Sequence, residues 1–245
     1  MSVNYDTLAA DYVSYRVPDP RIEAAIRRHI SPGDSILNVG AGQGAYEPDG
    51  FNVVALEPSR EMIARRSSKK APTIQGMAER LPFKDDSFDT ALGVLTLHHW
   101  QDIQQGLSEL KRVTRGKIIL LTWNGDYGEF WLPDYLPEIA VIDVGLFPSI
   151  GALSELLGGA VSVETIAIPH DCTDGFMCAY WRRPEMYLDA SARQAMSMFS
   201  MLGSVEEGLI QLSDDLEAGY WHKKYQSLLG KDQLDCGYRL VVCNK

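Results

Sequence analysis

Apolar and polar positions follow two rhythms in the first half of this chain. Short apolar runs occur at Ile36–Val39, Val53–Leu56, Phe88–Leu95 and Lys117–Trp123, with a briefer one at Thr73–Gly76. Their length and β-branched content predict buried parallel strands. Between them the apolar residues recur every three or four positions, the spacing of one helix face. Arg21–Ile30 places Ile22, Ala25, Ile26 and His29 on one side. Ser59 is placed to cap a helix that reaches about Ser68 with Met62 and Ile63 inward. Asp102–Val113 carries Ile103, Leu107, Leu110 and Val113 on its apolar stripe. Strands alternating with helices imply right-handed βαβ units and a parallel sheet.

The rhythm loosens after Trp123. Residues 124–150 are rich in aromatics, proline and glycine, including Tyr127, Phe130, Trp131, Tyr135 and Phe147. Ile150–Leu157 reads as a helix, Val161–Pro169 as a strand, Pro184–Leu229 as mostly helical, and Tyr238–Cys243 as a last strand. The late helices read as a cap, after which the chain returns to complete the sheet. At the other end, residues 4–16 read as a helix with Tyr5, Leu8, Tyr12 and Tyr15 on one face, stopped by Pro18 and Pro20. We therefore expect one domain in two stretches, 1–123 as a ligand-binding core with N-terminal lid helices and 124–245 as sheet completion, aromatic insertion and cap.

The candidate chemistry gathers at the end of the first strand. There Gly40, Gly42 and Gly44 stand at alternate positions, where positive φ and close approach of a ligand to backbone are both accessible. The next apolar run ends in Glu57. A carboxylate at the tip of the neighbouring strand can accept from both hydroxyls of a ribose, so the pattern predicts a nucleoside site. The stretch Gly40–Ala45 fits the relaxed dinucleotide fingerprint GxGxxG/A. A pyrophosphate, however, is held at a full helix N-terminus. Only Ala45–Phe51, with Pro48 and Gly50 among them, separate Gly44 from the second strand. The helix there is one turn at most, and a phosphate-free nucleoside suits it better.

Composition narrows the rest. The chain has 245 residues and 45% hydrophobic content, enough for a substantial core. A net charge of −10 disfavours nucleic acid as the main partner. The sequence reading finds no signal peptide and no membrane span. The four cysteines, Cys172, Cys178, Cys236 and Cys243, lack paired metal spacing. A cytoplasmic protein without a metal, monomeric or homodimeric, is expected.

Several ordered motifs resemble the class I S-adenosylmethionine-dependent methyltransferases, specifically the small-molecule type related to the ubiquinone and menaquinone biosynthesis enzymes. They are Asn38–Gly44, Leu56–Ser59 with Met62, Gly76–Phe83, Ser87–Asp89, Leu95–Trp100, Glu109–Val113 and the tyrosine-arginine segment Tyr12–Pro18. Together they span roughly residues 5–123. The resemblance implies a Rossmann-like doubly wound α/β fold with a seven-strand, mostly parallel sheet, an antiparallel last strand and a helical cap. It implies S-adenosylmethionine as cofactor and in-line methyl transfer to a small-molecule oxygen or nitrogen. Residue by residue, it implies that backbone at Gly40, Ala41 and Gly42 lines the methionine part. Glu57 takes the ribose, Pro58 and Met62 pack on adenine, and Ala78 N–H meets an adenine ring nitrogen with Glu79 beside it. The Leu95 carbonyl holds the ammonium, and Tyr12, Tyr15 and Arg16 cover the cofactor. Asn38 and Met77 depart from the acidic residues usual in the family at those places.

The cofactor brings the reactivity, so a protein base is needed only for a protonated acceptor. His99, His170 and Asp171 are the candidates, each with a blander reading as a turn or cap residue. Trp123, Phe130, Trp131 and Tyr135 can box an acceptor or serve as core, and Arg182 can face an anion or the surface. Two other readings stay open at this point: a nicotinamide-dependent oxidoreductase using the same glycine turn, and a protein that binds S-adenosylmethionine without catalysis.

Overall fold

The computed structural model describes residues 15–245, which gather into two compact units. One comprises Pro20–Asn124, Phe147–Ile166 and Tyr238–Lys245. The other comprises Gly125–Leu146, Ala167–Gly237 and the described residues up to Asp19. The helix expected over residues 4–16, with Tyr12, lies outside the described residues but for its last two positions.

The first unit is built on a seven-stranded sheet. Its strands are β1 (Ser35–Val39), β2 (Asn52–Glu57), β3 (Thr73–Gln75), β4 (Phe88–Val94), β5 (Thr114–Trp123), β6 (Ala160–Thr165) and β9 (Tyr238–Asn244). Two further strands, β7 (Ile168–Pro169) and β8 (Gln233–Leu234), pair in the other unit. The order in the sheet is β3-β2-β1-β4-β5-β9-β6. Strands β1 to β5 run parallel, and β9 lies antiparallel between β5 and β6. The mostly parallel sheet with an antiparallel last strand is the expected fold.

The apolar runs become strands because both their faces are covered. Ile36, Leu37, Leu56, Ala91, Leu92, Ile119 and Leu120 are all completely buried. Of these, Leu37, Leu56, Ala91 and Leu120 pack in one cluster with Leu107, Leu110 and Val113 of α3 (Ile103–Val113) and with Leu153 and Leu157 of α5 (Ile150–Leu157). Helix α1 (Pro20–Arg27) buries Ile22, Ala25 and Ile26, the face its spacing predicts. Asp89 ties the start of β4 to β1, accepting from Ser35 N at 2.9 Å and Ser35 Oγ at 2.7 Å.

The strand order reverses at β1, whose neighbours are β2 and β4. In open α/β sheets the crevice beyond the carboxyl ends at such a switch point is where ligands bind. The register pairs Val39 with Leu56, so the glycine turn and Glu57 leave adjacent strand ends together.

Three elements differ from the sequence reading. Helix α2 (Arg60–Ala64) stops short of Ser68, because the chain turns so that the Arg66 guanidinium donates to Gly42 O at 2.9 Å. The Val161–Pro169 run divides. Ala160–Thr165 edges the sheet, whereas Ile168 pairs with Leu234 in the other unit. Residues 138–146, to which the sequence pattern assigns no element, form helix α4 (Glu138–Leu146). By length and composition alone Glu138–Leu157 is apolar enough to cross a membrane. It folds as α4 and α5 with Pro148 between them.

The second unit condenses around aromatics. Trp131, Trp181, Trp221 and Tyr187 are completely buried. Trp131 Nε1 donates to Trp181 O at 2.6 Å, and Trp181 Nε1 to Ile168 O at 2.9 Å. The helical stretch is realised in pieces: α6 (Ala190–Gln194), α7 (Glu206–Glu217), α8 (Tyr220–Lys224) and α9 (Gln226–Leu229). Gly219, at φ +73°, breaks α7 from α8.

Candidate functional site

Strand β1 delivers the chain into a turn that only glycines make cheaply. Gly40, Gly42 and Gly44 have φ of +69°, +50° and +89°. The N–H groups of Gly40 and Ala41 both donate to Leu56 O, at 2.9 and 3.1 Å, which locks the turn to β2. A Cβ on Gly40 would stand 1.8 Å from Thr96 Oγ1. One on Gly42 would meet nothing within 4 Å. The turn is thus packed tightly underneath and open at Gly42. Residues 43–50 form turns and no helix, as expected.

Glu57 closes the far side. One of its carboxylate oxygens accepts from Gly42 N at 2.7 Å, the other from Ser59 N at 3.0 Å. Two backbone donors fix the carboxylate, while each oxygen keeps a second lone pair. Burial raises the Glu57 pKa, and the Ser59 and Gly42 N–H groups and the Arg66 charge oppose that rise. Ser59 also caps α2 by accepting from Met62 N at 3.2 Å. Met62 is buried below the turn with Gln43 Nε2 3.9 Å from its sulfur, whereas Pro58 is exposed.

The loops after β3 and β4 complete this rim. Ala78 is buried and Met77 exposed. Glu79 accepts from Gln101 N at 2.7 Å and Asp102 N at 3.2 Å, tying its loop to the start of α3. Leu95, the residue after β4, sits at φ +50°. A branched side chain in the left-handed region costs about 1 kcal/mol or more, and such strain gathers at functional sites. Next come Leu97–His99 in a single 3-10 turn. The His98 ring lies 3.7 Å from that of His99 and 4.6 Å from that of Phe147, whose edge meets Trp123 at 5.5 Å. Asp102, not a histidine, caps α3.

The remaining sequence-predicted residues belong to the other unit. Tyr15 Oη donates to Asp189 at 2.8 Å. Arg16 Nε donates to the wholly buried Asp174 at 2.6 Å. His170 is half-buried with its N–H on Asp232 O at 2.9 Å, and Asp171 is exposed. Arg182 reaches backbone oxygens of Leu229 and Lys231, a structural use. Phe130, Trp131 and Tyr135 are core. Thus Gly40, Ala41, Gly42, Glu57, Pro58, Met62, Ala78, Glu79, Leu95 and His99 share one unit. Tyr15, Arg16, His170 and Asp171 share the other.

The sequence reading missed Thr96, Glu47 and Arg66. Thr96 is buried and fills the space that Gly40 leaves. Glu47 and Arg66 form an ion pair beneath the turn. Glu47 lies beside Pro48 and Asp49 and Arg66 among Arg65, Ser67, Ser68 and Lys69, so nothing in the local sequence signals that either is buried. Among the described residues no group of histidine, cysteine and acidic side chains could hold a metal. Burial pushes the Cys172 thiol up to about 12, away from thiolate chemistry.

Comparison with known proteins agrees with this geometry. A methyltransferase domain family matches residues 37–121. A putative methyltransferase from an antibiotic biosynthesis pathway of Anabaena variabilis is 34% identical and superposes with a TM-score of 0.88, covering 94% of this chain and 99% of that one. The demethylmenaquinone methyltransferase of Mycolicibacterium paratuberculosis is 34% identical over 97 residues, 37% of this chain and 42% of its own length. An uncharacterized methyltransferase of Bacillus subtilis is 32% identical over 120 residues, 44% of each chain. The chain thus spans about half the length of the curated relatives it matches. Topology, the glycine turn and near full-length similarity to a relative agree: this chain belongs to the class I S-adenosylmethionine-dependent methyltransferases.

Proposed function

We propose that the glycine turn and Glu57 hold S-adenosylmethionine, and that the enzyme methylates an oxygen or nitrogen of a small molecule. The observation that carries this is the Glu57 carboxylate, fixed at 2.7 and 3.0 Å by Gly42 N and Ser59 N. A ribose needs two acceptors held side by side, and a carboxylate with spare lone pairs on both oxygens fits that need. The opening at Gly42, where a Cβ would meet nothing within 4 Å, suits a ligand laid on backbone. The turn lacks the helix N-terminus that a pyrophosphate needs, which disfavours a dinucleotide.

In this reading Gly40, Ala41 and Gly42 line the methionine part, Met62 and Pro58 the adenine, and the Leu95 carbonyl the ammonium. The Ala78 N–H meets an adenine nitrogen with Glu79 beside it. When bound, S-adenosylmethionine supplies an electrophilic methyl group on a positively charged sulfur. The chain's own residues bind, align and keep water out. His99, on the turn after β4, takes the proton of the acceptor where there is one to take; His170 and Asp171 are the alternatives. A small-molecule acceptor is in keeping with the relative from an antibiotic biosynthesis pathway and with the demethylmenaquinone methyltransferase.

Calorimetric titration with S-adenosylhomocysteine and with NADH tests the cofactor. The first is expected to bind stoichiometrically and the second not at all. The reverse result would move the chain to nicotinamide chemistry.

A further inference from the structure

Asn38 stands where the family usually carries an acidic residue, and the crossover helix after the glycine turn is absent. The structure joins these two departures. Asn38 is buried one residue before the end of β1, and its Nδ2 donates to Glu47 Oε1 at 3.3 Å. Arg66 Nη2 donates to the same oxygen at 2.5 Å and Nη1 to Gly42 O at 2.9 Å. Glu47 Oε2 accepts from Ala71 N at 3.2 Å, and Arg66 Nη2 reaches Ala71 O at 3.3 Å. Both charged side chains are about 95% buried, at 4% and 5% exposure. A Cβ on Gly44 would stand 2.8 Å from Glu47 Oε2, so the turn is moulded onto this pair.

A crossover helix ordinarily fixes the far end of such a turn by its own backbone bonds and packing. Here residues 43–50 supply only turns. We propose that Glu47 and Arg66, joined by Asn38, are positioning residues that hold the cofactor turn in place of that helix, and that positions 38 and 47 must pair as one hydrogen-bond donor and one carboxylate. This rests on the S-adenosylmethionine reading of the turn. A carboxylate at 38 would face that of Glu47 at hydrogen-bond distance, and two buried like charges there repel strongly. The Glu47 carboxylate is neutralised by Arg66, whose guanidinium in turn donates to the carbonyl of Gly42.

The test is a charge swap in the full chain, read by S-adenosylhomocysteine titration alongside thermal unfolding. Asn38→Asp is expected to weaken binding by about tenfold or more. Asn38→Asp combined with Glu47→Gln restores a donor–acceptor pair and is expected to return affinity to within about threefold of wild type. Arg66→Lys keeps the charge but lacks the fork that reaches both Gly42 and Glu47, and is expected to weaken binding by about tenfold. Wild-type affinity in Asn38→Asp and Arg66→Lys overturns the clamp. Should Asn38→Asp fail to fold, the swap decides: a folded double variant that stays more than about tenfold weak overturns the proposal. A wild-type chain that ignores S-adenosylhomocysteine, while folded, removes the cofactor reading itself and the clamp with it.

Discussion

The hydroxyl oxygen of Thr96 stands 1.8 Å from the point that a Cβ on Gly40 would occupy, while the same point on Gly42 is open for 4 Å. Two glycines of one turn therefore do different jobs. Gly40→Ala adds a clash with a buried side chain to the cost of φ +69°, and is expected to destabilise the sheet unit by about 3 kcal/mol or more. Gly42→Ala bears only the cost of its φ, about 1 kcal/mol. Its methyl would project into the proposed cofactor bed, so it is expected to keep the fold and lose S-adenosylhomocysteine affinity. Urea unfolding and calorimetry on both variants check this. Equal losses of stability would show that the turn has one purpose, not two.

Glu57 yields a prediction in pH. Its folded pKa is raised by burial. The folded state therefore binds its proton more readily than the unfolded state, so the stability tied to Glu57 is greatest below its unfolded pKa and is lost as pH rises through the folded one. Ribose recognition runs the other way, because the ionised carboxylate is the better acceptor. Affinity for S-adenosylhomocysteine is expected to fall as pH drops through the Glu57 pKa, and Glu57→Gln should flatten that dependence while costing about 1–3 kcal/mol of binding. A wild-type profile as flat as the variant's would take Glu57 out of the ribose contact.

The parallel core was legible because a strand buried on both faces is apolar at nearly every position, Asn38 being the exception in β1. Ile36–Val39 and Val53–Leu56 announce their place without any partner in view. The glycine turn was legible because alternate glycines before a gap too short for a helix leave few conformations. Glu47 and Arg66 were not, since their pairing joins residues 19 apart through a turn whose path the sequence does not specify. Helix α4 was missed for a related reason. It buries Asp143 and exposes Val141 and Val144, the opposite of an amphipathic pattern. The split of Val161–Pro169 is equally invisible, because an alternating run does not say where one sheet ends and another pairing begins.

Asp143 makes that inverted helix testable. It is buried on α4 and accepts a hydrogen bond from Tyr127 Oη. Burial raises its pKa from 3.8 to about 6, against the pull of the Tyr127 hydroxyl. A carboxyl raised in the folded state lends stability that is complete below pH about 4 and lost by pH about 6. Asp143→Asn keeps an acceptor for Tyr127 without a charge. It is expected to stabilise the protein at pH 7.5 by about 1–3 kcal/mol and to remove the dependence between about pH 4 and 6. Thermal unfolding across that range decides it; a variant less stable than wild type at pH 7.5 would mean the carboxylate is favourably held.

The two histidines after β4 differ in their surroundings, and this separates their expected roles. His98 stacks on Phe147, which meets Trp123 edge-on. Removing the His98 ring therefore disturbs packing at the carboxyl end of the sheet, and His98→Asn is expected to lower thermal stability more than turnover. His99 is the proposed base. His99→Asn should leave S-adenosylhomocysteine affinity intact and lower kcat by about 10²–10⁴, abolishing the acidic limb of the pH–rate profile for an acceptor that must lose a proton. An acceptor that is already deprotonated would show no such loss with either variant and no acidic limb in wild type. A wild-type limb that persists in His99→Asn would move the proton to His170 or Asp171, which the corresponding Asn variants of those positions would then reveal.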